Sequence, residues 1–238
     1  MYTIDPHKVL FPDADTTVML AQLFPLEKSE VRSGMMSVVY IVGKLFTSLI
    51  WSDQSKADEQ TVGLVMNVKS QGLPIGAGLG SSASFSVAVV ASCLRLQAMM
   101  FPNSEKNASI ITTCVESESS GCVCLPNAAA LEVINGWAFA SEILLHGCPS
   151  GLDNTTSCYG GLVKFSRKGG EKFENITGVP ALHILLVNTR VPRSTKQLVA
   201  GVRTLHDAYP EIVDPMLESM NSIALNFLVL VEEYVTQI

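Results

Sequence analysis

No CxxC pair occurs in this chain of 238 residues, although it holds six cysteines: Cys93, Cys114, Cys122, Cys124, Cys148 and Cys158. Their scatter argues against a disulfide framework in so large and apolar a chain, and predicts reduced thiols in a cytoplasmic protein. Cys122-Val123-Cys124 comes nearest to a metal pair, but none of the four histidines stands at a zinc-like spacing from it. No block of like charges occurs either, and the net charge is −6. A basic nucleic-acid face is therefore not expected, and a small-molecule ligand is. The opening residues, MYTIDPHKV, lack the charged leader and hydrophobic run of a targeting signal. The longest apolar run, residues 35–51, is short for a bilayer and interrupted by Ser37, Lys44, Thr47 and Ser48. A buried helix is expected there, not a membrane partner. No internal repeat or low-complexity linker is present.

What is present is a chain that is 47% apolar, long enough for one large domain or two small ones around a sizeable core. Periodicity predicts helices over residues 33–51, 81–100 and 194–209, another over 213–234, and a weaker one over 104–115. The helix over 81–100 carries an apolar stripe of Val87, Val90, Ala91, Leu94 and Ala98. Short β-branched runs predict strands over 61–69 (TVGLVMNVK), 159–165 and 182–187. Residues 117–126 read as a loop. Asn127 is a good N-cap for a helix running to about residue 145, which Gly147 stops and Pro149 keeps from resuming. The mixture predicts an α+β fold rather than regular βαβ alternation.

Two stretches carry chemistry. Residues 74–84 read PIGAGLGSSAS. Alternating glycines let a ligand approach the backbone closely, and the helix that follows offers unpaired N–H groups and a partial positive charge. The serines at its start could cap it, touch phosphate oxygens or ligate Mg²⁺. The stretch lacks the GK[ST] ending of a Walker A loop and the GxGxxG spacing of a dinucleotide fold. A flexible strand-to-helix turn with Ser81 as its cap is the alternative. Residues 142–154 read EILLHGCPSGLDN. Glu142 lies near the C-terminal end of an apolar helix, where it opposes the macrodipole unless a cation balances it. The alternative is a solvated glutamate. Asp153 reads as a cap of a short helix or as a carboxylate aimed into a cleft, within reach of a substrate hydroxyl. His146 reads first as a buried helix-end residue bonded to backbone, and second as a ligand contact. Asn154 is expected to support the turn.

Together the two stretches resemble the GHMK family of small-molecule kinases: galactokinase, homoserine kinase, mevalonate kinase and phosphomevalonate kinase. Within it the likeness is to the mevalonate-phosphorylating branch. It rests on Trp137-Ala138-Phe139, Glu142, HGCPSGLDN and the run NTRVPRSTKQLVAGV at 188–202, and extends over about residues 61–231. The resemblance implies ATP and Mg²⁺ as cofactors. The backbone of Gly76, Ala77, Gly78, Leu79, Gly80, Ser81 and Ser82 would cradle the phosphates, with Ser82 and Glu142 on Mg²⁺. Asp153 would act as general base on the primary hydroxyl of mevalonate. Thr195 would lie near that acid and the transferred phosphate, and Leu145 and His146 near the substrate. It also implies a two-domain architecture, truncated at both ends, with one domain at 1–179 and the start of a second at 180–238. A homodimer is the candidate assembly, and isoprenoid and sterol precursors are the metabolic setting.

The sequence departs from the family pattern in places. Cys148 stands before Pro-Ser-Gly, and Ser141 and Ile143 flank Glu142. No run of the type PGKVILFGEH, with its active-site lysine, occurs; Lys8 in HKVLFP is a superficial echo. The glycine-rich GAGGGG loop is also missing.

Overall fold

The computed structural model describes residues 12–25, 29–46, 64–75, 77–100, 113–117, 121–167, 172–179, 181–187 and 195–236. Three long helices build the core. They are α2 (Ser29–Leu45), α3 (Ser81–Met100) and α4 (Ala128–His146), and each packs on the other two. A shorter α1 (Ala14–Leu23) lies on α2. It is N-capped by Asp13, whose Oδ1 accepts from Thr16 N–H at 2.7 Å. That contact satisfies one of the orphan donors of the first turn. The buried cluster draws Tyr40, Ile41 and Leu45 from α2, Val89, Val90, Cys93 and Leu94 from α3, and Val133, Ile134 and Trp137 from α4. By length and composition α3 and α4 could each cross a membrane; here they form the centre of this core. Burial pushes the Cys93 thiol up to about 11, so it stays protonated.

Trp137 is completely buried where the three helices meet. Truncating it would remove a large apolar surface and leave a cavity. We expect Trp137→Ala to cost about 3–5 kcal/mol, read as a shift in the urea midpoint at unchanged slope.

Beyond the bundle, Leu152–Tyr159 forms the short helix α5, which packs on α3 and α4 and touches the hairpin β3 (Leu162–Ser166) and β4 (Lys172–Ile176). This hairpin is antiparallel, with Phe165 opposite Phe173 and Lys164 opposite Glu174. The two rings stack at 4.9 Å and the ion pair closes at 2.9 Å. A second antiparallel hairpin pairs β1 (Thr113–Ser117) with β2 (Gly121–Leu125). Finally α6 (Thr195–Ala208) packs on α7 (Pro210–Thr236). Helices with segregated antiparallel hairpins make an α+β fold.

Several expectations are corrected. The end of the weak helix predicted over 104–115 is strand β1, and the predicted loop 117–126 contains strand β2. The described parts of two predicted strands, 64–69 and 182–187, are irregular. Most of their side chains are exposed, and no described strand pairs with them. A β-branched run becomes a strand only where a neighbour takes its backbone hydrogen bonds. Helix α2 ends at Leu45, short of the predicted residue 51. The strand predicted over 159–165 is displaced to Leu162–Ser166 because α5 runs on to Tyr159 and Gly160 caps it.

Candidate active site

The glycine-rich turn delivers the start of α3. Gly78 and Gly80 have φ of 74° and 68°, left-handed conformations that explain glycine at these positions. The Gly80 carbonyl accepts from Ser84 N–H at 3.0 Å. Gly80 rather than Ser81 thus holds the N-cap position, which corrects the expected cap. Ser81 is the first helical residue and Ser82 the second. Ser86 follows Ser82 by one turn, so both hydroxyls lie on the same helix face.

That face meets the end of α4. Asn127 caps the start of α4 through Oδ1, accepting from Ala130 N–H, and Gly147 closes it with an N–H to the Ile143 carbonyl. Both ends are as the sequence predicts. Glu142 lies one turn before the end and is only 3% exposed, which removes the solvated alternative. Ser86 Oγ donates to its Oε1 at 3.1 Å and Ser82 Oγ to its Oε2 at 3.3 Å. His146 Nε2 stands 3.5 Å from the same Oε2 and 3.1 Å from Ser82 Oγ. Burial pushes the Glu142 carboxyl above its ordinary value, and Asp153 pushes the same way; His146 and the two serine hydroxyls pull against them.

His146 differs from its first reading. Its side chain is 53% exposed, and it reaches Ser82 and Glu142. The i,i+4 spacing to Glu142 on a helix explains this placement. Leu145 beside it is half-buried.

The second carboxylate comes from α5. Gly151 is the N-cap, with φ 79° and ψ −3°, so Asp153 is not the cap but lies in the first turn. Ser150 Oγ accepts from Leu152 N–H at 3.2 Å. Asn154 is buried and donates through Nδ2 to Asn135 Oδ1 of α4 at 2.6 Å, while Asn135 Nδ2 donates to Thr155 Oγ1 at 3.3 Å. These bonds fasten α5 to α4 and leave Asp153 exposed beside the glycine turn. A methyl group placed on Gly80 would stand 3.9 Å from Asp153 Cβ. A methyl on Gly151 would meet Phe173 at 3.1 Å and Phe139 at 3.4 Å. We expect Gly151→Ala to cost at least about 1–2 kcal/mol from the left-handed backbone alone. Chemical denaturation reads that loss.

Ser82, Glu142, His146 and Asp153 are thus brought together, with Ala77 and Gly78–Gly80 forming the turn between them. Gly76 lies outside the described residues. Thr195 begins α6, and its side chain is likewise outside them. Sequence reasoning missed Ser86, which makes the second hydrogen bond to Glu142; its spacing of four from Ser82 was the available signal.

The donor set suits Mg²⁺. It offers a buried carboxylate oxygen and a hydroxyl 3.3 Å apart at a helix N-terminus. Among the described residues no group of three or more His, Cys, Asp or Glu could hold a metal alone. Mg²⁺ is commonly held this way, by one or two carboxylates together with substrate phosphates and water.

A helix N-terminus behind glycines, set against a buried carboxylate, is an arrangement for anionic phosphate and its cation. Residues 45–161 match the family described as GHMP kinases N terminal domain. The matched residues are similar to this family of kinases and hold the glycine turn, Glu142 and Asp153.

Its curated relatives include mevalonate kinases. The chain is 41% identical over 153 residues to the one from Homo sapiens, covering 64% of this chain and 35% of that protein. It is 32% identical over 222 residues to the one from Schizosaccharomyces pombe (92% and 48%), and 34% identical over 203 residues to the one from Arabidopsis thaliana (85% and 45%). The chain spans between 35% and 48% of the length of these three relatives.

Proposed function

We propose that this chain carries the phosphate- and metal-binding part of an ATP-dependent kinase that phosphorylates the primary hydroxyl of mevalonate, a step toward isoprenoids and sterols. The observation that carries this reading is the meeting of Ser82 with Glu142, sixty positions apart, beside Asp153. The mevalonate kinase names of its relatives supply the substrate.

In this reading the backbone of Gly76–Ser82 and the N-terminus of α3 hold the phosphate oxygens of ATP. Ser82 Oγ and Glu142 Oε2 hold Mg²⁺, which when bound neutralises charge across the phosphates. Asp153 takes the proton from the attacking hydroxyl, and the oxygen it frees forms the new P–O bond as ADP leaves. His146, Leu145 and Thr195 line the substrate side. Residues 1–179 form the family's N-terminal domain, and 180–238 begin its second. A homodimer of a cytoplasmic enzyme is the assembly we infer from the family.

A substrate panel with ATP and Mg²⁺ tests the specificity. Phosphorylation of mevalonate but not of galactose or homoserine is expected; preference for either of the others contradicts it. A second reading, a nucleotide-binding chain without turnover, is favoured by the lack of a PGKVILFGEH-type run in these 238 residues. Calorimetric binding of ATP with Mg²⁺ but no product in the panel would select it.

A further inference from the structure

We propose that Ser86 is a positioning residue that fixes the Glu142 carboxylate for the cation; this rests on the reading of Glu142 as a metal ligand. Ser86 is fully buried on the core face of α3, which also carries Ala83, Val89 and Val90. A hydroxyl in such a place costs free energy unless it is hydrogen-bonded. Its partner is Oε1 of Glu142 at 3.1 Å, the oxygen that Ser82 and His146 leave alone. Holding Oε1 from inside the core stops the carboxylate from turning about its last side-chain bond. Oε2 is then kept toward Ser82.

A second layer holds Ser86. Ser141 Oγ lies 3.0 Å from Ser86 Oγ and donates to Ser37 Oγ of α2 at 2.9 Å. Ser37 Oγ in turn reaches the Ser141 carbonyl at 3.5 Å. Each hydroxyl has one proton. With the Ser86 proton on the carboxylate, the Ser86–Ser141 contact becomes a hydrogen bond only when Ser141 turns its single proton from Ser37 to Ser86. Ser86 thus ties one metal-facing carboxylate to the core, with Ser141 of α4 and Ser37 of α2 packed behind it. Outer partners of this kind orient a ligand, and their removal commonly weakens metal affinity by about 10–100-fold.

The test measures ADP affinity of the 238-residue chain by calorimetry, in Mn²⁺ and in EDTA. The ratio of the two is the gain due to the cation. Ser86→Ala is expected to lower that ratio about tenfold while ADP affinity in EDTA stays within about twofold. Ser86→Cys, of similar size but a weaker donor, is expected to fall between and serves as the variant to read if the alanine protein does not fold. Glu142→Gln is the control and is expected to lose the ratio entirely. If Glu142→Gln loses the ratio while the folded Ser86 variants keep the wild-type value, the positioning role is overturned and the site reading stands. If the Ser86 variants weaken ADP equally in Mn²⁺ and EDTA, Ser86 is merely structural and the proposal again falls. If Glu142→Gln keeps the wild-type ratio, the site reading itself is overturned, and the role of Ser86 with it.

Discussion

Asp153→Asn is expected to lower the rate of mevalonate phosphorylation by about 10²–10⁴-fold, the usual contribution of a positioned general base. Asparagine keeps the shape of the side chain but cannot take a proton at neutral pH. Asp153 is exposed, and α5 is held by Asn154, Asn135 and Thr155 rather than by Asp153. The fold should therefore change by no more than about 0.5 kcal/mol. Nucleotide affinity should also survive, because the proposed phosphate and cation contacts come from α3 and Glu142. A fall in kcat with little change in KM for ATP distinguishes a lost base from a damaged site. The substitution also removes the Asp153 charge, which adds to burial in pushing the Glu142 carboxyl up.

Glu142→Gln should have two effects of opposite sign. Without divalent cation the buried carboxylate is a burden at neutral pH. Burial raises its pKa in the folded protein above the unfolded value of about 4.3. The folded state therefore binds the proton more tightly than the unfolded state. The resulting stability is fully present below the unfolded value and is lost as pH rises through the raised folded value. Glutamine has no such loss. In EDTA the variant should melt above the wild type at pH 7, and the gap should close toward pH 4. In ADP with Mg²⁺ the order should reverse, since only the wild type gains from the cation and ligand binding adds to stability. A thermal melt series across pH, with and without Mg²⁺ and ADP, reads both effects. A wild type that melts above the variant at pH 7 in EDTA contradicts the account of the buried carboxylate.

The parts legible in the sequence are those fixed by local chemistry. Asn127 and Gly147 bound α4 because capping depends on residues within one turn. The span of α3 follows from its apolar stripe and the glycines before it. The closeness of Ser82, Glu142 and Asp153 was legible because two motifs carry them. What was not legible depended on partners far along the chain. Residues 61–69 and 182–187 have strand-like composition, but the described parts have no partner strand. Residues 113–117 and 121–125 pair with each other, which a search for helical periodicity over 104–115 could not register. His146 was misjudged because a histidine at a helix end reads the same whether it turns inward or toward Glu142. Ser86 was one serine among several near the start of α3, and only the arrival of Glu142 gives it a role.

The most direct measurement is single-turnover transfer of labelled γ-phosphate from ATP to mevalonate by the 238-residue chain, with the product identified by mass and phosphorus resonance. The account predicts a monophosphate on the primary hydroxyl, formed only with Mg²⁺ and suppressed in Asp153→Asn. Release of inorganic phosphate without phosphorylated mevalonate, or an undiminished rate in Asp153→Asn, would contradict it.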